Sequence, residues 1–188
     1  MHDIEPHYLW RNLYRASLDE RSPFYGYQNS EVFFTDQIYN HLIHPQWDFF
    51  GAETLFIKQL FTDYETGYVI LEFLGEWNDV LHNDIMFLKR DVIEEIMAAG
   101  INKFILIGDH ILNWHAEMDD YYQEWFEELE EGWIALVNAR PQVRDELRDF
   151  NLDQYLIYGG DLDEMSWRRW SPPRFYREVA AVISHRLD

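Results

Sequence analysis

Two short, uninterrupted apolar runs, Phe104-Ile105-Leu106-Ile107 and Trp133-Ile134-Ala135-Leu136-Val137, constrain this chain more than any other feature. A strand apolar at every position is buried on both faces, which belongs to sheets flanked by helices. The segments around these runs have helical spacing. Between about Asp84 and Ala99, Ile85, Leu88, Val92, Ile96 and Ala99 recur every three or four residues, and Gly100 follows as a stop. A second helix turns Tyr122, Trp125, Phe126 and Leu129 inward and Glu124, Glu127, Glu128 and Glu131 outward, with Gly132 at its end. Pro141 opens a third, holding Val143 and Leu147. Ser171-Pro172-Pro173 opens a fourth, with Phe175, Val179, Val182 and Ile183 on one side. Upstream, Leu55 to Phe61 and Tyr68 to Leu74 flank the turn Asp63-Tyr64-Glu65-Thr66-Gly67 as a β-hairpin, and Leu156-Ile157-Tyr158 reads as a brief late strand. A hairpin followed by alternating helices and strands predicts an α/β fold with a mostly parallel or mixed sheet.

The first fifty residues are patterned less sharply. Leu9, Leu13 and Trp10 suit one or two helical turns, while Ser22-Pro23 and Tyr25-Gly26-Tyr27 are turn chemistry. Glu31 to Phe34 and Gln37 to Leu42 read as extended segments around Thr35-Asp36. His41 to Phe50 mixes rings with polar tips, which suits packing across the sheet or covering an exposed edge. A length of 188 residues, with no repeat or flexible linker, fits one domain, 1–188.

Charge narrows the partners. The 35 acids and 15 bases give a net charge of −20, and no basic run interrupts them. Nucleic acid and anionic membrane surfaces both draw proteins through Lys and Arg, so neither is expected, and neutral, apolar or basic partners are. There is no cysteine, hence no disulfide, thiolate metal site or cysteine nucleophile. No run approaches about 18 apolar residues, and Met1-His2-Asp3-Ile4-Glu5-Pro6 lacks the basic head and apolar stretch of a leader. The expected location is the cytoplasm. Eight Trp, twelve Tyr and thirteen Phe supply a ring-built interior, or an exposed patch for a partner.

Catalytic signatures are sparse. No Gly-x-Ser-x-Gly elbow, P-loop or Gly-x-Gly-x-x-Gly occurs, and no cofactor is expected. Ser17, Ser22, Ser30, Ser166, Ser171 and Ser184 all lie outside the α/β centre. The strongest candidate site is Gly108 to Asp120, read as the loop after the Phe104–Ile107 strand, because ligands of open α/β sheets gather beyond the strands' carboxyl ends. It carries Asp109, His110, Asn113, Trp114 and His115, and the stretch from Trp77 through Asp79 and His82 to Asp84 can lie beside it. Imidazole and carboxylate together hold divalent ions, which makes His110, His115, Asp109 and His82 candidate ligands. No His-x-x-x-His spacing supports them, and Asp119 or Asp120 more simply caps the next helix, as Asp84 does the earlier one. Glu127 to Glu131 reads as a solvated helix face.

Three stretches resemble the STAS (SpoIIAA-like) domain of anti-sigma-factor antagonists and sulfate-transporter tails. Leu71 to Asp79, containing Gly75-Glu76-Trp77-Asn78-Asp79, is similar to the family's strand ending in Gly-Glu-Leu-Asp before the first helix. Phe104 to Ile107 is similar to the strand leading into its switch loop. Trp133 to Val143, continuing through Leu147 and Phe150-Asn151-Leu152-Asp153, is similar to its closing strand and helix. The resemblance implies a STAS-like mixed sheet over 55–160, with an N-terminal extension, 1–50, and a C-terminal extension helix, 161–188, that have no counterpart in a minimal domain. Counted back from Val137, the family's Asp-Ser-Ser-Gly switch falls on Asn113-Trp114-His115-Ala116, and its phosphorylated serine on Trp114. The phospho-switch is therefore expected to be missing. What the resemblance implies is a non-enzymatic regulatory or docking module that binds a protein partner or itself, through Asn113, Trp114, His115, Asp109, His110, Trp77 and Asp79. Two alternatives remain: a small-molecule-binding domain, and a metal-dependent enzyme built on Asp109, His110 and His115.

Overall fold

The computed structural model describes residues 4–187; Met1-His2-Asp3, where the absence of a leader is read, and Asp188 lie outside the described residues. A two-residue hairpin, β1 (Gln37–Ile38) and β2 (His41–Leu42), precedes a five-stranded sheet. In that sheet β3 (Leu55–Asp63), β4 (Tyr68–Asn78), β5 (Lys103–His115), β6 (Trp133–Val137) and β7 (Leu156–Ile157) lie side by side in chain order. The β3–β4 pair is antiparallel and every later pair is parallel. The sheet is mixed, as the hairpin-then-crossover order predicts.

Helices fill the crossovers: α1 (Asp79–His82), α2 (Asp84–Leu88) and α3 (Glu94–Ala98) after β4, α4 (Asp120–Glu128) after β5, and α5 (Pro141–Asp149) after β6. Helix α6 (Pro172–Leu187) closes the chain. Pro141 stands at the first position of α5, where its missing N–H costs nothing. The helix read from Asp84 to Ala99 contains a π turn, Lys89–Ile93, joining α2 to α3. An extra residue in that turn brings both Val92 and Ile93 inside.

The sheet separates two apolar clusters. Phe104 and Leu106 point to the side covered by α2 to α5, with Leu88, Trp125 and Leu147. Ile105 and Ile107 point to the other, where Trp10, Trp167 and the α6 residues Phe175, Val179 and Ile183 cover them. The C-terminal extension and Trp10 thus roof the second face of the sheet, while Ala16, Phe24 and Phe50 of the N-terminal extension join the first cluster.

The N-terminal part departs from its reading. Leu9 and Leu13 lie exposed on turns, and only Trp10 of that stripe is buried. Glu31 to Phe34 forms no strand, and Gln37 to Leu42 breaks at Tyr39, whose φ of 53 turns the chain. The arm that follows does reach the sheet, where Asp48 bridges Ile57 on edge strand β3. In α4, Phe126 faces outward against Tyr155 rather than into the core, because Tyr122, Trp125 and Leu129 already fill the inner stripe. The acids of α4 are not all solvated either. Buried Lys89 reaches Glu128 at 2.8 Å, Glu94 at 3.2 Å and Glu124 at 3.5 Å.

Candidate functional site

The stretch read as a loop is a strand. From Gly108 to His115 the chain continues as β5, paired with the equally prolonged end of β4 from Leu74 to Asn78. Two register shifts, after Glu72 and after Gly75, let β5 carry extra residues while staying hydrogen-bonded to β4. The prolongation is held by a pair of rings: Trp77 and Trp114 are register partners, and their indoles stack. Aromatic pairs across neighbouring strands stabilise a sheet by burial and ring contact together.

A closed hydrogen-bond network lies beneath that pair. Trp114 donates its Nε1–H to the Tyr122 hydroxyl at 3.0 Å, and Tyr122 donates to Asp79 Oδ2 at 2.5 Å. Asp79 Oδ1 accepts from Trp77 Nε1 at 3.0 Å and from the Ile85 amide at 2.9 Å. Burial, opposed by these donors, pushes the Asp79 carboxyl up to about 7. Asp84 is wholly buried next to it; Oδ2 accepts from the Asn78 amide at 2.8 Å, while Oδ1 has no hydrogen-bond partner among the described residues. Its carboxyl is pushed up to about 6, again chiefly by burial. Asp84 therefore serves β4 rather than capping a helix. Asn78 caps α1, through the Leu81 amide at 2.9 Å. Asp119 precedes α4 without a side-chain cap and accepts from Tyr155 instead.

Trp77 and Trp114 thus form the filling under the sheet's carboxyl end, not its outer surface, and the buried Asp79 lies at the floor of the depression outside. That surface consists of Val80, Leu81 and Met118, exposed at 50%, 75% and 64%, around a depression of about 160 Å³ that Glu117, Asp120 and Tyr121 also line. Of the other named residues, Asn113 donates to Glu76 at 3.2 Å, and His115 is exposed, 4.0 Å from Glu146.

Asp109 and His110 face the second cluster. Asp109 Oδ2 accepts from Trp167 Nε1 at 2.7 Å, its Oδ1 accepts from Asn138 Nδ2 at 3.1 Å, and Arg168 stands 3.4 Å away. His110 Nε2 lies 3.3 Å from Arg168 and 4.0 Å from Glu72. His115 lies five steps along the strand from His110, about 16 Å if fully extended, and His82 instead meets Glu53 at 3.5 Å. Among the described residues, no three His, Asp or Glu side chains gather to hold a metal ion.

Glu72 was not singled out by motif reading, yet it joins three parts of the molecule. It is a single acid inside the apolar run Tyr68 to Leu74, and that break in the pattern was its only signal. It accepts from the His7 amide at 2.8 Å and from Arg168 at 3.3 Å, so both extensions end on one strand residue. Burial pushes its carboxyl up to about 7 and, with Arg168 nearby, pushes the His7 imidazole down to about 4.

No described helix is long and apolar enough to cross a membrane. No family model matches the sequence, and no curated protein does. Solved structures do. The chain is similar to the anti-sigma factor antagonist SpoIIAA in its unphosphorylated form, at 13% identity over 56% of this chain and 89% of that one, with a TM-score of 0.40. It is similar to the phosphorylated Bacillus cell fate determinant SpoIIAA, at 12% identity over 56% and 92%, with a TM-score of 0.38. The Thermotoga maritima protein TM1081 matches at 18% identity over 61% and 95%, with a TM-score of 0.42. These matches span little more than half of this chain, and its mixed α/β character rests on its own five-stranded sheet and helices.

Proposed function

We propose that the chain is a non-enzymatic, cytoplasmic regulatory module that docks a basic protein partner at the carboxyl end of its sheet. The observation that carries this reading is the contrast between inside and outside at that end. The interior is occupied by Trp77, Trp114, Tyr122 and Asp79, all buried. Outside lies an apolar patch, Val80, Leu81 and Met118, whose depression is lined by Glu117 and Asp120 and by no base. An apolar centre with a charged rim is how protein interfaces are built. The charge selects the partner, since a second copy with a net charge of −20 would be repelled and a basic surface attracted.

The resemblance of Leu71–Asp79 and Trp133–Val143 to STAS motifs supports the same reading, with one change. At the position aligned with the family's modified serine stands Trp114, which has no hydroxyl and is buried. Partner choice in this reading is constitutive rather than phosphorylation-switched. The whole of 1–188 acts as one unit, with 1–50 and 161–188 as extensions packed onto the sheet-centred core.

The test compares affinity capture by the wild type and by Leu81→Asp. Leu81 is exposed, so folding is retained, and a circular dichroism spectrum checks it. An interactor whose capture falls with added salt and is lost in the variant supports the proposal. Unchanged capture by Leu81→Asp overturns it, as does concentration-dependent dimerisation that Leu81→Asp abolishes.

A further inference from the structure

A concave cavity of about 300 Å³ opens between the N-terminal extension and edge strand β3. That is the lower end of the range for sites enclosing metabolite-sized ligands. One group of lining residues is basic: Arg11, Arg15 and Lys58 converge there, in a chain where acids outnumber bases 35 to 15. Their commitments differ. Arg11 is paired with Glu5 at 2.8 Å, and Lys58 with the buried Asp48 at 3.1 Å. Arg15 donates only its Nε–H, to the Arg11 carbonyl at 3.2 Å, and its guanidinium forms no ion pair among the described residues.

A second group of lining residues is aromatic. Phe24 and Tyr27 meet edge-on with centroids 5.5 Å apart. Phe24 is fixed by burial, whereas Tyr27 is partly exposed. Of the lining acids, Asp48 is already matched by Lys58 and by Asn29 Nδ2 at 2.5 Å, and Glu31 is exposed.

We infer that this cavity is a binding site for a small aromatic carboxylate. The carboxylate takes the uncommitted fork of Arg15, whose planar donors match it. The ring takes the Phe24–Tyr27 wall, where offset or edge contacts favour it. A purely apolar guest would leave the Arg15 guanidinium unmatched, and a cation would be repelled by it. The site shares no lining residue with the depression at the sheet's carboxyl end, so it stands apart from the docking proposal.

Isothermal titration calorimetry on the full chain tests this with phenylacetate and indole-3-acetate, against phenylacetamide as the uncharged match. Saturable binding of at least one carboxylate is expected, with the amide weaker by about tenfold or more, the value of one charge-assisted hydrogen bond. Arg15→Gln, an exposed change, is expected to remove the preference of acid over amide, and Tyr27→Ala to weaken both several-fold. Three results overturn the inference: no saturable heat with either carboxylate, equal binding of acid and amide, or full binding retained by Arg15→Gln.

Discussion

The rings of Trp77 and Trp114 stack with centroids 3.8 Å apart and planes 11° from parallel, one on each of two adjacent parallel strands. The pair replaces a loop by sheet, since it holds β4 and β5 together well beyond the crossover body. Trp114→Ala removes both the stack and the donor to Tyr122. A loss of about 3–5 kcal/mol is expected in urea denaturation. Trp114→Phe keeps a ring and forfeits the hydrogen bond, for about 1–2 kcal/mol. A cost below about 1 kcal/mol for the alanine variant is incompatible with the pair as a structural element.

Asp79 makes stability depend on pH. Its folded carboxyl, at about 7, lies above the ordinary value near 4. Between those values the folded state holds a proton that the unfolded state has released, so stability falls as pH rises through that window. Glu72 and Asp84 act in the same sense, and His7, pushed down to about 4, acts in the opposite one below its ordinary value. Asp79→Asn keeps an acceptor for Trp77 and the Ile85 amide without the titration. Its melting temperature is expected to decline less than that of the wild type from about pH 5 to about pH 8. Identical slopes would falsify the assignment.

Lys89 has no solvent exposure, yet its three carboxylate partners are each between a third and a half exposed. Removing the ammonium therefore leaves hydrated acids rather than a buried charge, and the cost is smaller than for a fully enclosed pair. Lys89→Met, which keeps the chain's volume, is expected to cost about 1–2 kcal/mol. Lys89→Glu adds a fourth acid in a closed space and is expected to abolish cooperative thermal unfolding.

Gly75 has a φ of 121, and a methyl group there would run into the carbonyl of Thr54. That carbonyl also accepts the Glu76 amide at 2.8 Å, so the backbone is not free to retreat. Gly75→Ala is expected to lower stability by about 2–4 kcal/mol, measurable as a drop in melting temperature.

The centre of the fold was legible because its signals are local. The runs at Phe104 and Trp133 and the proline at 141 act within a few residues of themselves. The end of β5 was not, because Asp109, His110, Asn113 and His115 have loop-like side chains. They stay in strand through partners far away in sequence, among them Trp77, Asn138, Trp167 and Arg168. Trp114 was named as surface for the same reason: only its pairing with Trp77 decides which way it points. Lys89 carried no signal of its burial, since nothing in the spacing from Ile85 to Ala99 announces the π turn that draws it in. The fold's second polar centre was signalled only by one acid, Glu72, in an apolar run.

The roof over the second sheet face limits how this protein can be dissected. Tyr68, Ile70, Ile105, Ile107, Ala135 and Val137 are dry only because Trp10, Trp167 and α6 lie on them. A shortened clone spanning 55–160 would expose this continuous greasy wall, and with it a carboxyl at Glu72 stripped of its amide and guanidinium partners. Such a fragment is expected to self-associate or precipitate on expression. Any binding measured with it would report stickiness rather than recognition.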